Sequence, residues 1–151
     1  MRNMDIKLVP VELEEFDNLF SVVKQALYSH VDAVFGWSDD FQFNRLKNDY
    51  EFSWFHWVER ADQRIGLLCF KPYDNALHVH LLVVFPEFQR QSFGRDIMNH
   101  VHNLALVQRR SHVTLSSFIR NDSAVRFYKS LGYQLVDSDE NFLSLSLQVT
   151  S

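Results

Sequence analysis

The sequence predicts one α/β (α+β) domain of three layers, a mixed and largely antiparallel sheet flanked by helices. Three observations predict it. The 151 residues fall well short of the roughly 250 at which single cores stop growing. Segments of helical and strand periodicity interleave along the whole chain without repeat, linker or low-complexity tract. A helical segment over 93–108 joins two strands, so a parallel pair is expected there in a sheet that is antiparallel at first.

The elements follow in order. A strand near 5–9 precedes a helix with Leu13, Phe16, Phe20, Val23 and Leu27 at helical spacing, ending near Gly36. A weaker helix covers 39–48. EFSWFHWVER at 51–60 is expected to be a strand, paired with IGLLCFKPY across the Asp62 and Gln63 turn, with Ile65, Leu67 and Cys69 on one face. ALHVHLLVVF at 76–85 forms the next strand, stopped by Pro86, with Leu77, Val79 and Leu81 inward. Ile97, Val101, Leu104 and Ala105 define a helix over 93–108, followed by the strand HVTLSSF. Asn121 or Asp122 caps a short helix that buries Ala124, Phe127, Tyr128 and Leu131 and closes at Gly132. Strands near 133–137 and 142–148 complete residues 1–151 as a single domain.

Composition narrows the function. Hydrophobic residues make 46% and charged residues 23%, ordinary globular usage that excludes a disordered tail or coiled coil. The acidic start of the chain and the lack of any 18-residue apolar stretch predict a cytoplasmic protein without a membrane segment. The lone Cys69 rules out an internal disulfide and a cysteine-based zinc site, and its strand position suggests a buried packing thiol. His100 and His102 stand about 200° apart around their helix and cannot chelate together, so no metal is expected. Although the net charge is -4, residues 89–129 carry seven basic side chains against only Asp96 and Asp122. A basic region in an acidic protein suits a small polyanion better than a long nucleic acid, and no aromatic RNA-binding motif occurs. Gln89-Arg90-Gln91-Ser92-Phe93-Gly94-Arg95 lies between a strand and a helix, where exposed amides and the helix dipole suit a phosphate.

The same segment resembles the acyl-CoA motif Q/R-x-x-G-x-G/A of the GNAT superfamily of N-acetyltransferases: Gln89 and Gly94 match, and Ser92 replaces the first glycine. Asn121–Tyr133 (NDSAVRFYKSLGY) resembles that superfamily's N-x-x-A-x-x-F-Y-x-x-x-G-F/Y segment at every defined position. The resemblance implies acetyl-CoA as co-substrate, with its pyrophosphate on the amides of Gln89–Arg95 and its pantetheine arm along Leu82, Val83 and Val84 where two parallel strands splay apart. It further implies contact of Asn121 with that arm, and Tyr128 as the acid that protonates the departing thiolate. Ser92 brings a Cβ to a position where glycine spares one.

Direct attack on a thioester needs a neutral amine, and at pH 7 an alkyl ammonium of pKa near 10 is only about 0.1% neutral. The superfamily often supplies a glutamate from the strand before the phosphate turn, but ALHVHLLVV has no carboxylate. It carries His78 and His80, roughly 7 Å apart on one strand face. They resemble the paired histidines that serotonin N-acetyltransferase, a member of the superfamily, has at corresponding distances from the turn. Either imidazole could accept the proton, and either could simply be the polar side of a half-buried strand.

The resemblance also implies that the acceptor enters between the first helical region and the sheet, opposite the cofactor. That region is acidic (Asp32, Asp39, Asp40) and aromatic (Phe35, Trp37, Phe41, Trp54, Trp57), which suits a cationic or aryl-bearing amine, small or peptidic. Together these expectations describe an acetyl-CoA-dependent N-acetyltransferase. The alternative is a non-catalytic acyl-CoA-binding domain, favoured by Ser92 and the missing carboxylate and opposed by Tyr128, Asn121 and Gly94. LSLSLQV at 143–149 is one strand through which a homodimer could pair.

Overall fold

The computed structural model describes residues 5–150. Its strands are β1 (Ile6–Pro10), β2 (Phe55–Arg60), β3 (Gln63–Tyr73), β4 (Ala76–Val84), β5 (His112–Phe118), β6 (Gln134–Ser138) and β7 (Phe142–Gln148). Its helices are α1 (Phe16–Phe35), α2 (Asp39–Asn48), α3 (Phe93–Val107) and α4 (Asp122–Ser130). The sheet runs β1-β2-β3-β4-β5-β7-β6, and its only parallel pair is β4 with β5, the two strands joined through α3. Among the described residues no helix is long and apolar enough to cross a membrane.

Side chains cap two of the helix starts. Asn121, expected as a cap, accepts at Oδ1 from the Ala124 amide at 3.3 Å, and Ser38 Oγ accepts from the Phe41 amide at 3.3 Å. The strand expected from residue 51 begins only at Phe55, because Phe52–Trp54 wind into a single 3₁₀ turn. That turn carries Phe52 onto Phe16 and Trp54 onto His80.

Two cores hold the layers. On one face Ile97, Met98, Val101 and Ala105 of α3 pack fully buried against Leu77, Val79, Val113 and Leu145. Each large side chain buried there contributes about 2 kcal/mol of transfer free energy. On the other face Leu19, Val23 and Leu46 of α1 and α2 cover Phe55, Trp57, Leu67 and Cys69. Glu15 fastens this layer, accepting from Trp57 Nε1 at 3.1 Å and meeting Arg64 at 3.3 Å. Trp57, expected among the acceptor aromatics, is therefore a core residue with no solvent exposure.

Three bulges reverse the side-chain alternation. Val58 pairs Gly66 but Glu59 pairs Arg64, leaving Ile65 extra. Cys69 pairs Leu81 but Phe70 pairs Val79, leaving His80 extra. Leu135 pairs Leu145 but Asp137 pairs Ser144, leaving Val136 extra. Two expectations are corrected as a result. Ile65 packs in the α3 core, opposite Leu67 and Cys69, and Leu81 packs under α1, opposite Leu77 and Val79. The sheet topology corrects a third, since β7 is paired on both sides and has no open edge for a second copy.

Gly66 pairs with Val84 where β3 runs close against β4. A Cβ built on it would lie 2.1 Å from the Val83 carbonyl oxygen. The glycine is what lets β4 keep its course past the last rung of the parallel ladder.

Candidate active site

The β4–β5 ladder runs only from Ala76↔His112 to Val79↔Leu115. Beyond it β4 follows β3 to Val84, and β5 follows β7 to Phe118. The strands diverge and open a cleft of about 860 Å³, lined by Leu82, Ser116, Asn121 and Tyr128 as well as by His78, His80, Tyr50 and Arg45. A smaller cavity of about 280 Å³ adjoins its β4 side, between Val22, Gln25 and Ala26 of α1 and the run Leu82–Pro86 with Gln89. Leu82, Val83 and Val84, expected to line a cofactor arm, thus border open space.

The turn expected to hold a phosphate contains two left-handed residues. Arg90 and Ser92 both take the left-handed conformation, at φ 64 and φ 67. The first intrahelical bond of α3 runs from the Asp96 amide to the Ser92 carbonyl, which places the amides of residues 93–95 ahead of the ladder at the positive end of the helix. The Phe93 ring turns inward against Phe88, 6.2 Å away, so its backbone alone faces the turn. A Cβ on Gly94 would lie 3.2 Å from Phe127 Cζ, so this glycine serves the close packing of α3 on α4. Gln89 braces the turn, its Nε2 donating to the Val84 carbonyl at 2.8 Å, and Gln91 Nε2 donates to the Glu87 carbonyl at 3.4 Å. Arg90 and Arg95 add positive charge at the same place. The left-handed conformation at Ser92 explains why glycine is usual there: a side chain in that region costs about 1 kcal/mol. We expect Ser92→Gly to raise the thermal midpoint by about 2 °C and to tighten acetyl-CoA binding, read by thermal unfolding and calorimetric titration.

Asn121 and Tyr128 come together on the opposite wall. The Asn121 carbonyl oxygen is engaged by the cap and by Ser123 Oγ at 3.3 Å, while its Nδ2 makes no hydrogen bond among the described residues. Tyr128 is 9% exposed, with Phe127 and Tyr133 at ring distances of 5.0 and 5.6 Å. Its hydroxyl makes no hydrogen bond among the described residues. Burial pushes its pKa well above that of a free phenol, so it holds its proton throughout the neutral range.

The bulge at His80 brings the histidines together: ring centroids are 4.8 Å apart at 80°. His78 Nδ1 lies 2.8 Å from Thr114 Oγ1 of β5. His80 stacks on Trp54 at 5.3 Å, has Tyr50 edge-on at 5.3 Å, and buries an Nε2 without a hydrogen-bond partner. Desolvation, then the Lys71 charge, lowers the His78 pKa. Desolvation, then His78, Lys71 and Arg45, lowers that of His80 to about 4. Both rings are neutral at pH 7 and carry a lone pair.

The expected acceptor residues separate. Phe35 lines the cleft, 61% exposed and stacked on Phe142. Trp37 does not; it packs on Phe20 and Tyr28, and its Nε1 donates to Asp39 Oδ1 at 2.6 Å. Trp54 stands behind His80. The acidic loop uses its charges on itself, Asp32 accepting from the Trp37 amide at 3.0 Å and Asp39 pairing with Lys24 at 2.9 Å. Part of the basic region is likewise structural: Arg120 donates to the Ser29 carbonyl at 3.2 Å and lies 2.8 Å from His30 Nδ1, tying α1 to the β5–α4 turn. His30, Arg45, Tyr50, Ser116 and Phe118 line the cleft without having been expected there. No local motif marks them, but Ser116 and Phe118 follow once β5 is recognised as the strand that splays from β4. Among the described residues no three His, Cys, Asp or Glu side chains gather as a metal site, and Cys69 is buried, its thiol pushed well up in pKa by desolvation.

Comparison with solved structures finds the same fold many times. PaiA N-acetyltransferase from Thermoplasma acidophilum, solved in complex with coenzyme A, superposes with a TM-score of 0.74 at 14% identity over 95% of this chain and 99% of that one. An acetyltransferase from Thermus thermophilus gives 0.71 at 15% identity over 98% and 99%. The ribosomal-protein-S18-alanine N-acetyltransferase of Escherichia coli gives 0.68 at 15% identity over 97% and 96%. No curated protein sequence matches significantly. The model of the acetyltransferase (GNAT) domain matches residues 52–135, from the 3₁₀ turn before β2 through the phosphate turn and Tyr128 into β6, and by that match the chain belongs to the GNAT acetyltransferase family.

Proposed function

We propose that this chain is an acetyl-CoA-dependent N-acetyltransferase that moves the acetyl group to a primary amine by direct attack on the thioester. The observation that carries the reading is one cleft, opened by the splayed strands, with the protonated Tyr128 hydroxyl and the neutral His78–His80 pair both in its lining. The residues fit an extended acyl-CoA. Amides 93–95 with Arg90 and Arg95 suit the pyrophosphate, the unpaired side of β4 along Leu82, Val83 and Val84 suits the pantetheine amides, and the free Nδ2 of Asn121 suits a carbonyl on the same arm.

Acetyl-CoA, when bound, supplies an acyl carbonyl open to attack and a thiolate leaving group. The chain's part is positioning and proton movement. As the C–N bond forms and the C–S bond breaks, the amine sheds a proton toward the histidines and Tyr128 donates its own to the sulfur. Of the two imidazoles His78 is the better base. In the tautomer that donates Nδ1–H to Thr114 Oγ1, its Nε2 keeps the lone pair, whereas a ring with pKa about 4 is a weak acceptor. His80 holds Trp54 and Tyr50 in place beside it. Deprotonating the ammonium costs about 4 kcal/mol at pH 7, which is the burden the base relieves.

The test is free-thiol release from acetyl-CoA across a panel of primary amines, wild type beside the His78→Ala, His80→Ala double variant. Amine-dependent release is expected, lower by about 10²-fold in the variant, with the deficit shrinking as pH rises toward the amine pKa. No release with any amine, while acetyl-CoA still raises the melting temperature, would favour the binding-only reading suggested by Ser92 and the missing carboxylate.

A further inference from the structure

We propose that the acceptor carries a carboxylate beside its amine, on an apolar or aryl body, and that Arg45 selects it. This rests on the transferase reading and names the acceptor class that reading leaves open.

The argument starts from the charge inside the cleft. Among the described residues Arg45 is the only lining side chain that is charged at neutral pH, and no aspartate or glutamate lines the cleft. The loop acids that made the region look suited to a cation are spent on Trp37 and Lys24. Asp49, the residue that caps α2 one turn beyond Arg45, is exposed and outside the lining. Arg45 itself is exposed and makes no ion pair among the described residues, so an incoming anion displaces no partner.

Position gives that charge a use. The Arg45 guanidinium lies 5.9 Å from the centre of the Tyr50 ring, and the same ring meets the His80 imidazole edge-on at 5.3 Å. The cation and the histidine pair therefore neighbour one phenol ring in the same cleft lining, close enough for a small amino carboxylate to reach both with its amine toward the imidazoles. Lys71 reinforces the sign, its Nζ standing 4.9 Å over the Trp54 ring that backs His80. Tyr50, Phe41 and Phe35 supply flat apolar surface for the body of the molecule. A polyamine or a lysine among basic residues would instead place further positive charge beside Arg45 with nothing to balance it. The planar guanidinium matches a carboxylate through two parallel hydrogen bonds, which gives the site direction as well as charge.

The experiment compares amino carboxylates of graded spacing with their neutral amides: L-phenylalanine, 4-(aminomethyl)benzoate and 6-aminohexanoate, with spermidine alongside. In thiol release, at least one acid should exceed its amide by about tenfold or more in kcat/KM, through KM more than kcat. The ratio should fall to near one in Arg45→Gln, survive in part in Arg45→Lys, and invert in Arg45→Glu. Calorimetric binding of the N-acetylated acids and N-acetylated amides to the enzyme saturated with coenzyme A gives the same comparison without turnover. Acids and amides that bind and react alike, or spermidine as the best acceptor, would overturn the proposal while leaving the transferase intact. Arg45-dependent binding of the acids with no thiol release from any amine would keep the anion site and overturn the transferase.

Discussion

Tyr128→Phe should lower kcat for amine acetylation by about 10²-fold, the usual contribution of a positioned acid, and leave the melting temperature and the affinity for acetyl-CoA almost unchanged. The structure makes this substitution clean. The ring is held by contacts with Phe127 and Tyr133 that phenylalanine reproduces, and the hydroxyl makes no hydrogen bond among the described residues that folding would lose. A purely structural Tyr128 would behave oppositely, since nothing that holds the fold changes and turnover should then persist. The raised pKa sharpens the test. Because the phenol keeps its proton across the neutral range, the wild-type rate should show no alkaline-side loss from this group until well above neutral pH. The effect should also depend on the leaving group. An acyl donor whose thiol is more acidic needs less help from a proton donor, so the wild-type to Tyr128→Phe ratio should shrink with such a donor. Equal kcat for the two proteins on every donor would remove Tyr128 from the chemistry.

The sequence made the order of elements legible because most of them announce themselves by period and punctuation. The α3 segment buries Ile97, Val101 and Ala105 on one face and joins two strands, so the parallel pair followed from it. Phasing within strands was less legible, for a single reason. Alternation is read across a strand as if every residue had a partner, and a bulge inserts one that does not. The extra Ile65 in β3 and His80 in β4 each move everything beyond them to the other face. That is why Leu81 lies under α1, when simple alternation puts it with Leu77 and Val79.

The residues proposed to hold the cofactor were legible because their motifs are local. The turn at 89–95 and the short helix from Asn121 to Tyr128 are each contiguous in sequence, and the divergence of β4 from β5 opens the cleft that Asn121 and Tyr128 line. The acceptor side was not, because it is assembled from α1, α2 and β4 by packing alone. Acidic residues in a loop look like a cation site until their partners are seen; Asp32 and Asp39 stabilise the loop that carries them. Arg45 looks like one more solvated charge on a polar helix until Tyr50 and His80 are placed next to it.

Gly66→Ala should cost at least about 3 kcal/mol of folding stability, within the range of severe backbone clashes, and lower the melting temperature by about 6–12 °C. The added methyl would stand 2.1 Å from the Val83 carbonyl oxygen, a separation that no rotamer change relieves because both atoms belong to the backbone. Either the β3–β4 ladder opens around Leu67↔Val83 or β4 shifts, changing the smaller cavity that Val83 borders. Both routes disturb the strand proposed to hold the pantetheine arm, so the variant should lose acetyl-CoA affinity beyond what its lower stability explains, measured by titration well below its melting temperature. Gly94→Ala provides the contrast. There the nearest atom is Phe127 Cζ at 3.2 Å, the far end of a side chain that can turn aside, so the loss of stability should be under about 1 kcal/mol. If the two variants melted together, the close approach of β3 to β4 would not be what demands glycine at 66.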